Sequence, residues 1–521
     1  MSTPTCSFCS SSRLAMSFPR ESGILLHPTS FPSRFGIGDL GGAAYEFIDF
    51  MAQAGQRIWQ ILPLGPTGYG DSPYLAFSAM AGNPLMISPD RLKEDGLLSE
   101  EDFHGLPEFP QKVDFGWVHH VKMPLLRKAC EAFQTQADPD RMKEFDQFCQ
   151  EKADWLEDYA LFRALKDAHD GADWNTWEAS IASRQPEAMQ EWRDKLASEV
   201  FFHKFMQFQF FRQWSALKQY ANEKGIRIMG DVPIYVAFDS SDVWAYPQFF
   251  CLDEETKKPT LVAGVPPDYF SATGQLWGNP IYNWEELQKE DFRWWMQRFR
   301  SLFDMVDLVR IDHFRAFEAY WAVPGNETTA INGEWVKAPG REFFQRLRQE
   351  LGGLPIVAED LGLITPEVEE LRDEFEFPGM KILHFAFDSG SDNPYLPFCY
   401  PRNCIVYTGT HDNDTTVGWF YKRSQEEQQR VINYLGCTSQ DGIHWDLIRL
   451  AFSSVANQAI IPLQDLLGLD SDARMNAPSQ QEGNWNWRYW YGALNSDIVG
   501  RLRYFTELYG RLRRDDNSVS Q

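Results

Sequence analysis

Met305-Val-Asp-Leu-Val-Arg-Ile-Asp312 is a short, mostly apolar run that stops at a carboxylate, and the same construction recurs twice downstream. Leu354-Pro-Ile-Val-Ala runs into Glu359, and Cys404-Ile-Val-Tyr-Thr-Gly-Thr-His runs into Asp412. A strand buried on both faces is apolar along its length, so its pattern breaks only where solvent or chemistry begins. One acid in such a place reads as the cap of the following helix. Three, each beside a polar cluster, read as parallel strands delivering carboxylates to one rim. Converging carboxylates suit acid/base and nucleophilic work on a sugar acetal.

Working outward, strand-like runs alternate with longer helical patterns, as in βα units around a parallel sheet. Candidate strands are 23–27, 57–64, 226–235, 308–314, 355–360, 380–387, 404–410 and 458–463. Eight is the number that closes a barrel, so the predicted fold is α/β, a (β/α)8 TIM barrel with inserted, mainly helical subdomains. Thr365-Pro-Glu367 predicts a helix start after the fifth strand, with Val368, Leu371 and Phe375 at helical spacing. The barrel is expected over 21–515, with a helical insertion at 86–205 that opens on the capping-box-like Ser99-Glu-Glu-Asp102. A second insertion, 238–286, mixes Pro, Gly, Trp and Tyr and is expected to be a substrate loop.

Composition narrows the function. The chain has 521 residues with 49 Lys plus Arg against 74 Asp plus Glu, a formal charge of −25. Such a field repels nucleic acid and anionic membranes, and no stretch of about 18 apolar residues predicts a span. Aromatic residues make up 15% of the chain, and their flat faces suit pyranose rings even though most must be core. The eight cysteines are irregularly spaced apart from Cys6-Ser-Phe-Cys9, so reduced thiols fit better than a disulfide scaffold or zinc site. A cytoplasmic location is expected, with plastid stroma as the alternative. The first 20 residues are Ser-rich and lack a secretory apolar core, so a disordered start is expected, with a transit remnant as the alternative.

Individual residues sharpen the chemistry. Arg310 stands two residues before Asp312, so along a strand both side chains point the same way, and a guanidinium there favours an ionised nucleophile. Glu359 or its neighbour Asp360 would supply the general acid; alternation does not choose between them. In Thr408-Gly-Thr-His-Asp-Asn-Asp414, paired donors and acceptors fit sugar hydroxyls better than a metal, since no third ligand stands at a recognisable spacing. Gly65-Pro-Thr-Gly-Tyr-Gly-Asp-Ser-Pro-Tyr74 has no Gly-Lys-Ser/Thr ending and is not a phosphate loop. Its Tyr69, Ser72 and Tyr74 suit a stacking and hydroxyl-binding wall. Tyr269, Phe270 and Trp277 fall on the rim of the second long loop, as a lid or a sugar platform.

These motifs, with Gly230-Asp-Val-Pro-Ile-Tyr-Val236, Pro267-Asp-Tyr-Phe-Ser271, Ala358-Glu-Asp-Leu-Gly362 and Ala473-Arg-Met-Asn476, resemble those of the 4-α-glucanotransferases, or amylomaltases, of the α-amylase clan. The resemblance spans Gly23 to about Tyr504. It implies a retaining transferase acting on maltooligosaccharides, starch or glycogen-type α-1,4-glucans and needing no cofactor or metal. It implies that Asp312 is the nucleophile, Glu359 the general acid/base and Asp412 the carboxylate gripping the −1 sugar. Arg310, His411 and Asp231 become its polar shell, and Tyr74, with Ser72 nearby, the ring on that sugar. Tyr269, Phe270, Gln275, Trp277 and Asn279 belong to the acceptor loop, and Tyr69 to an outlying glucan site. The clan's hydrolases usually end the third-strand motif in histidine, whereas here it ends at Val236, which favours the transferase branch over a glucan hydrolase. A non-catalytic glucan-binding protein and an interaction scaffold are the rivals from other classes.

Overall fold

The computed structural model describes residues 18–513 apart from 268–270, 479 and 481. Eight parallel strands form one sheet: β1 (Glu21–Leu25), β2 (Ile58–Gln60), β3 (Arg227–Pro233), β4 (Leu308–Asp312), β5 (Ile356–Ala358), β6 (Gly379–Ile382), β7 (Cys404–Tyr407) and β8 (Gln458–Pro462). Their order is β6-β7-β8-β1-β2-β3-β4-β5. The ring shuts where the Ala358 N–H, on β5, donates to the Pro378 carbonyl just before β6, at 2.9 Å. This is the (β/α)8 barrel that eight β-branched runs predict. All eight expected strands are present, but most are shorter than their apolar runs. Ile61, Leu62 and Leu64, for example, stay buried after β2 has ended.

Helices cover the sheet with faces set by their sequence. In Arg293–Met305, Trp294, Trp295, Met296, Arg298 and Phe299 are buried, and in Gly340–Leu351, Phe343, Phe344 and Leu347 are. Phe343 lies 4.9 Å from Phe317 and 5.4 Å from Trp295, ring centre to ring centre. Much of the aromatic excess is therefore core, where each large side chain contributes roughly 1.5–3 kcal/mol on burial. The second helix stops at Gly352, whose φ of 73° is the left-handed end that glycine takes without strain. The helix after β5, Pro366–Glu374, starts where predicted, although Thr365 makes no side-chain capping bond.

Between β2 and β3 lie the helices Phe115–Gln136, Pro139–Glu151, Ala153–Ala168 and Pro186–Lys195. Another, Ala197–Glu223, runs on into the barrel, with Trp214 6.1 Å from Trp59. The Ser99–Asp102 box forms, with the Ser99 N–H on the Asp102 carboxylate at 2.7 Å, but it opens a single 3-10 turn rather than a long helix. Residues 238–286 do not close on themselves. Their strands Leu261–Val265 and Gln275–Pro280 join Ala319–Pro324 and Glu334–Lys337, which follow β4, in a four-stranded antiparallel sheet. Arg20 falls within the stretch expected to be disordered, yet it donates to the carbonyls of Phe452, Ser454, Ala456 and Tyr509. Residues 1–17, with Cys6 and Cys9, lie outside the described residues. The six described cysteines are free thiols, and no described helix is long and apolar enough to cross a membrane.

Candidate active site

The carboxyl ends of β3, β4, β5 and β7 meet at one rim. Arg310 on β4 is in register with Asp231 on β3, so a guanidinium is built directly beside a carboxylate. Its Nη1 lies 2.8 and 2.7 Å from the two Asp231 oxygens and 3.0 Å from Asp312 Oδ1. Burial opposes the Arg310 charge, and the flanking carboxylates more than offset it, raising its pKa far above the usual value. Arg310 and Asp312 thus share a side of the strand, as their spacing requires.

The Tyr74 hydroxyl donates to Asp231 Oδ2 at 2.7 Å. With its only proton spent there, its 2.8 Å contact with His411 Nε2 must be a bond that His411 donates, which places the proton of the neutral imidazole on Nε2. Burial lowers the His411 pKa, in keeping with the neutral ring. The Tyr74 and His411 rings stack at 5.4 Å and 11°. Beneath them the Tyr407 hydroxyl on β7 donates across the barrel to Gln60 of β2 at 2.8 Å.

After Asp312 the chain turns sharply. His313 has a φ of 55°, an uncommon left-handed conformation for a residue with a side chain. That turn aims the His313 N–H at Glu359 Oε2, 2.7 Å away, while the Leu361 N–H reaches Oε1 at 3.3 Å. Asp360 points elsewhere: it accepts from the Met380 N–H at 2.7 Å and from Arg372 at 2.5 Å. The choice left open by alternation therefore falls on Glu359 as the acid facing the cleft. Burial pushes both Glu359 and Asp312 upward in pKa, with Arg310 opposing. The Asp312 side chain still has 30% of its surface open to the cleft, which limits its desolvation. Arg310 touches Asp312, whereas only backbone N–H groups touch Glu359, so the cation favours the charged form of Asp312 by direct contact.

Asp412 is held from the far side of the barrel. The Asn476 amide donates to its Oδ1 at 2.6 Å, and Arg474 donates to its carbonyl at 2.6 Å. Oδ2 stays open to the cleft, 3.4 Å from His411 Nε2. Arg474 and Asn476 were not singled out as site residues, although the Ala473-Arg-Met-Asn476 motif contains both. The other candidates fall as follows. Trp277 sits edge-on to His313 at 4.8 Å, and its indole N–H donates to the exposed Gln275 at 3.2 Å. Asn279 is buried and donates to the Val236 carbonyl at 2.9 Å. Ser72 accepts the Tyr74 N–H at 3.3 Å, shaping the turn that presents Tyr74. Tyr269 and Phe270, and the side chain of Tyr69, lie outside the described residues. Among the described residues no group of three His, Cys, Asp or Glu is placed to hold a metal.

Three carboxylates around a guanidinium, with stacked rings beside them, make up this rim. The family model for 4-alpha-glucanotransferase matches residues 26–493, and the chain belongs to that family. It is accordingly a glycosyl-transferring enzyme. It is 60% identical over 495 residues to the 4-alpha-glucanotransferase of a Synechocystis species, covering 94% of this chain and 98% of the relative. To that of Thermus thermophilus it is 51% identical over 505 residues, covering 95% and 100%. The solved amylomaltase of Streptococcus agalactiae in complex with acarbose superposes with a TM-score of 0.92 at 41% identity, covering 95% of this chain and 100% of that one.

The Tyr74 bond lends itself to a direct test. Tyr74→Phe keeps the stacked ring but takes a donor from Asp231 and an acceptor from His411. Hydrogen bonds to charged groups contribute about 1.5–3 kcal/mol, so kcat/KM is expected to fall about 10- to 100-fold. Because Asp231 and His411 are both buried, the same loss should also lower the thermal midpoint. Steady-state kinetics on maltotriose would measure the loss.

Proposed function

We propose that the chain moves a segment of an α-1,4-glucan to the 4-hydroxyl of an acceptor glucan or glucose, with retention, through a covalent glycosyl-enzyme. The observation that carries this reading is the pairing of Asp312, fixed beside Arg310, with Glu359, fixed by the His313 N–H. One acid in contact with a cation and one without divide naturally into nucleophile and proton donor. Glu359 protonates the bridging oxygen from Oε1, the oxygen with the longer and weaker backbone bond. Asp312 attacks the anomeric carbon, and the leaving segment departs with the proton. Glu359, now a base, takes the proton of the incoming 4-hydroxyl, and the second inversion restores the α linkage. Asp412 Oδ2 and His411 hold hydroxyls of the −1 sugar, and Tyr74 forms the wall beside it. Gln275 and Trp277 line the acceptor side.

The proposed substrates are maltooligosaccharides and larger starch or glycogen-type glucans. The Streptococcus agalactiae amylomaltase structure is a complex with acarbose. A cytosolic or stromal compartment fits the free thiols, and the relative from Solanum tuberosum is described as chloroplastic/amyloplastic. The division into a barrel over 21–515 with insertions at 86–205 and 238–286 is part of the same proposal.

Incubation with maltotriose tests the reaction. Glucose together with longer maltodextrins, at a constant number of reducing ends, is the expected result. Rising reducing ends without longer products would replace transfer with hydrolysis.

A further inference from the structure

The loop that carries His411 and Asp412 leaves β7 at Thr408 and ends at Thr416, the first residue of the helix Thr416–Lys422. Both ends meet one side chain. Asp465, in the short helix Leu463–Leu466 after β8, accepts from Thr408 Oγ1 at 2.5 Å, from the Thr416 N–H at 2.6 Å and from Thr416 Oγ1 at 2.7 Å. It is 1% exposed, and among the described residues no cation lies within ion-pair distance of it. A buried carboxylate without a cation is costly: burial raises the Asp465 pKa, and these three donors oppose that shift.

The charge also sets the direction of the surrounding bonds. While Asp465 is ionised, both threonine hydroxyls donate to it, so Thr416 Oγ1 accepts in its 3.0 Å contact with His384 Nε2. This puts the His384 proton on Nε2 and leaves Nδ1, which has no partner among the described residues, bare. The His384 ring stacks on Trp419 at 4.5 Å and 8°. Its other neighbour is the loop itself: a Cβ on Gly409 would come within 2.7 Å of His384 Cε1. A carboxylate, two hydroxyls, an imidazole and a glycine therefore leave the base of this loop a single arrangement. At its tip Asn413 accepts the Thr410 N–H at 2.9 Å and the Thr410 hydroxyl at 3.0 Å.

We infer that Asp465 is a positioning residue for the reaction: one buried carboxylate pins both ends of the loop and so fixes where His411 and Asp412 meet the −1 sugar. The inference rests on the proposed function, in which those two side chains grip that sugar. Small displacements of such groups cost rate more than ground-state binding, because the grip is tightest in the transition state.

The test uses the full chain with Asp465→Asn, an isosteric change that keeps an acceptor oxygen but removes the charge that orders the hydroxyls. Steady-state kinetics on maltotriose should show kcat reduced about tenfold or more, with KM within about twofold of wild type. Inhibition by acarbose should weaken by a factor similar to the loss in kcat. A purely structural role would instead lower the thermal midpoint and leave kcat, KM and acarbose inhibition of the folded enzyme at wild-type values, which would overturn the inference. Should Asp465→Asn fail to fold, the pair Thr416→Ser and Thr416→Val decides. The serine variant keeps the hydroxyl and should retain activity, the valine variant should lose it, and equal activities would overturn the inference. Absence of transfer by the wild-type protein would remove the proposed reaction instead, while acarbose binding by wild type and variants would still report whether Asp465 positions the loop.

Discussion

Asp312→Asn is expected to lower kcat at least about 10⁴-fold, a barrier increase of roughly 5.5 kcal/mol or more. The amide has no charge to donate to an anomeric carbon, so no glycosyl-enzyme forms. Its carbonyl oxygen can still face Arg310 Nη1, 3.0 Å from the present Oδ1, so the guanidinium keeps both partners. With maltosyl fluoride as donor, mass spectrometry should find the wild-type chain heavier by one glycosyl unit in the steady state and the variant unchanged. A labelled Asp312→Asn variant, or one turning over maltotriose at the wild-type rate, would move the nucleophile elsewhere.

The second large effect is expected from Glu359→Gln, and it divides the reaction into its halves. With maltotriose as donor, the leaving group needs a proton that glutamine cannot supply, and kcat should fall about 10²- to 10⁴-fold. With maltosyl fluoride, whose leaving group needs no acid, the first half should proceed and the intermediate should then accumulate for want of a base. The stability consequence has the opposite sign. Burial raises the Glu359 pKa above its ordinary 4.5, so the folded chain holds this proton more tightly than the unfolded chain does. Stability from this group is full below 4.5 and is lost as pH rises toward the folded value, because folding then requires burying a carboxylate. Glutamine removes that cost, on the order of 1 kcal/mol with the open cleft taken into account. At pH 8 the variant should therefore melt above wild type, and at pH 4 the two should coincide. The same protonation demands a basic limb in the wild-type rate profile that reports loss of the acid, and the fluoride reaction of Glu359→Gln should lack it. Normal turnover of maltotriose by this variant would take Glu359 out of its role.

Barrel strands were legible because burial on both faces writes an uninterrupted apolar run. Their ends were less so: Ile61, Leu62 and Leu64 are as buried in the loop after β2 as they would be within it, so hydropathy does not register where pairing stops. Glu334–Lys337 escaped notice for the converse reason, being a short edge strand with mostly exposed residues and no apolar run to mark it. In the site, Arg310 and Asp312 could be placed together because their relation is local, two residues along one strand. The choice of Glu359 over Asp360 depends on Arg372 and Met380, supplied by the next helix and strand. Likewise, the hold of Asn476 on Asp412 joins residues 64 apart in the chain, a contact that no local pattern encodes.

Seven of the eight junctions around the barrel are ladders of paired strands, whereas the junction between β5 and β6 is bridged by the Ala358 N–H on the Pro378 carbonyl and by the Met380 N–H on the Asp360 carboxylate. With two bonds in place of a ladder, this seam is the least extensively paired junction of the cylinder. Glu359 is the next residue after that bond. Warming that loosens the seam would thus move the proton donor away from its nucleophile before the rest of the cylinder gives way, so catalytic competence and global folding would fail at different temperatures, in that order.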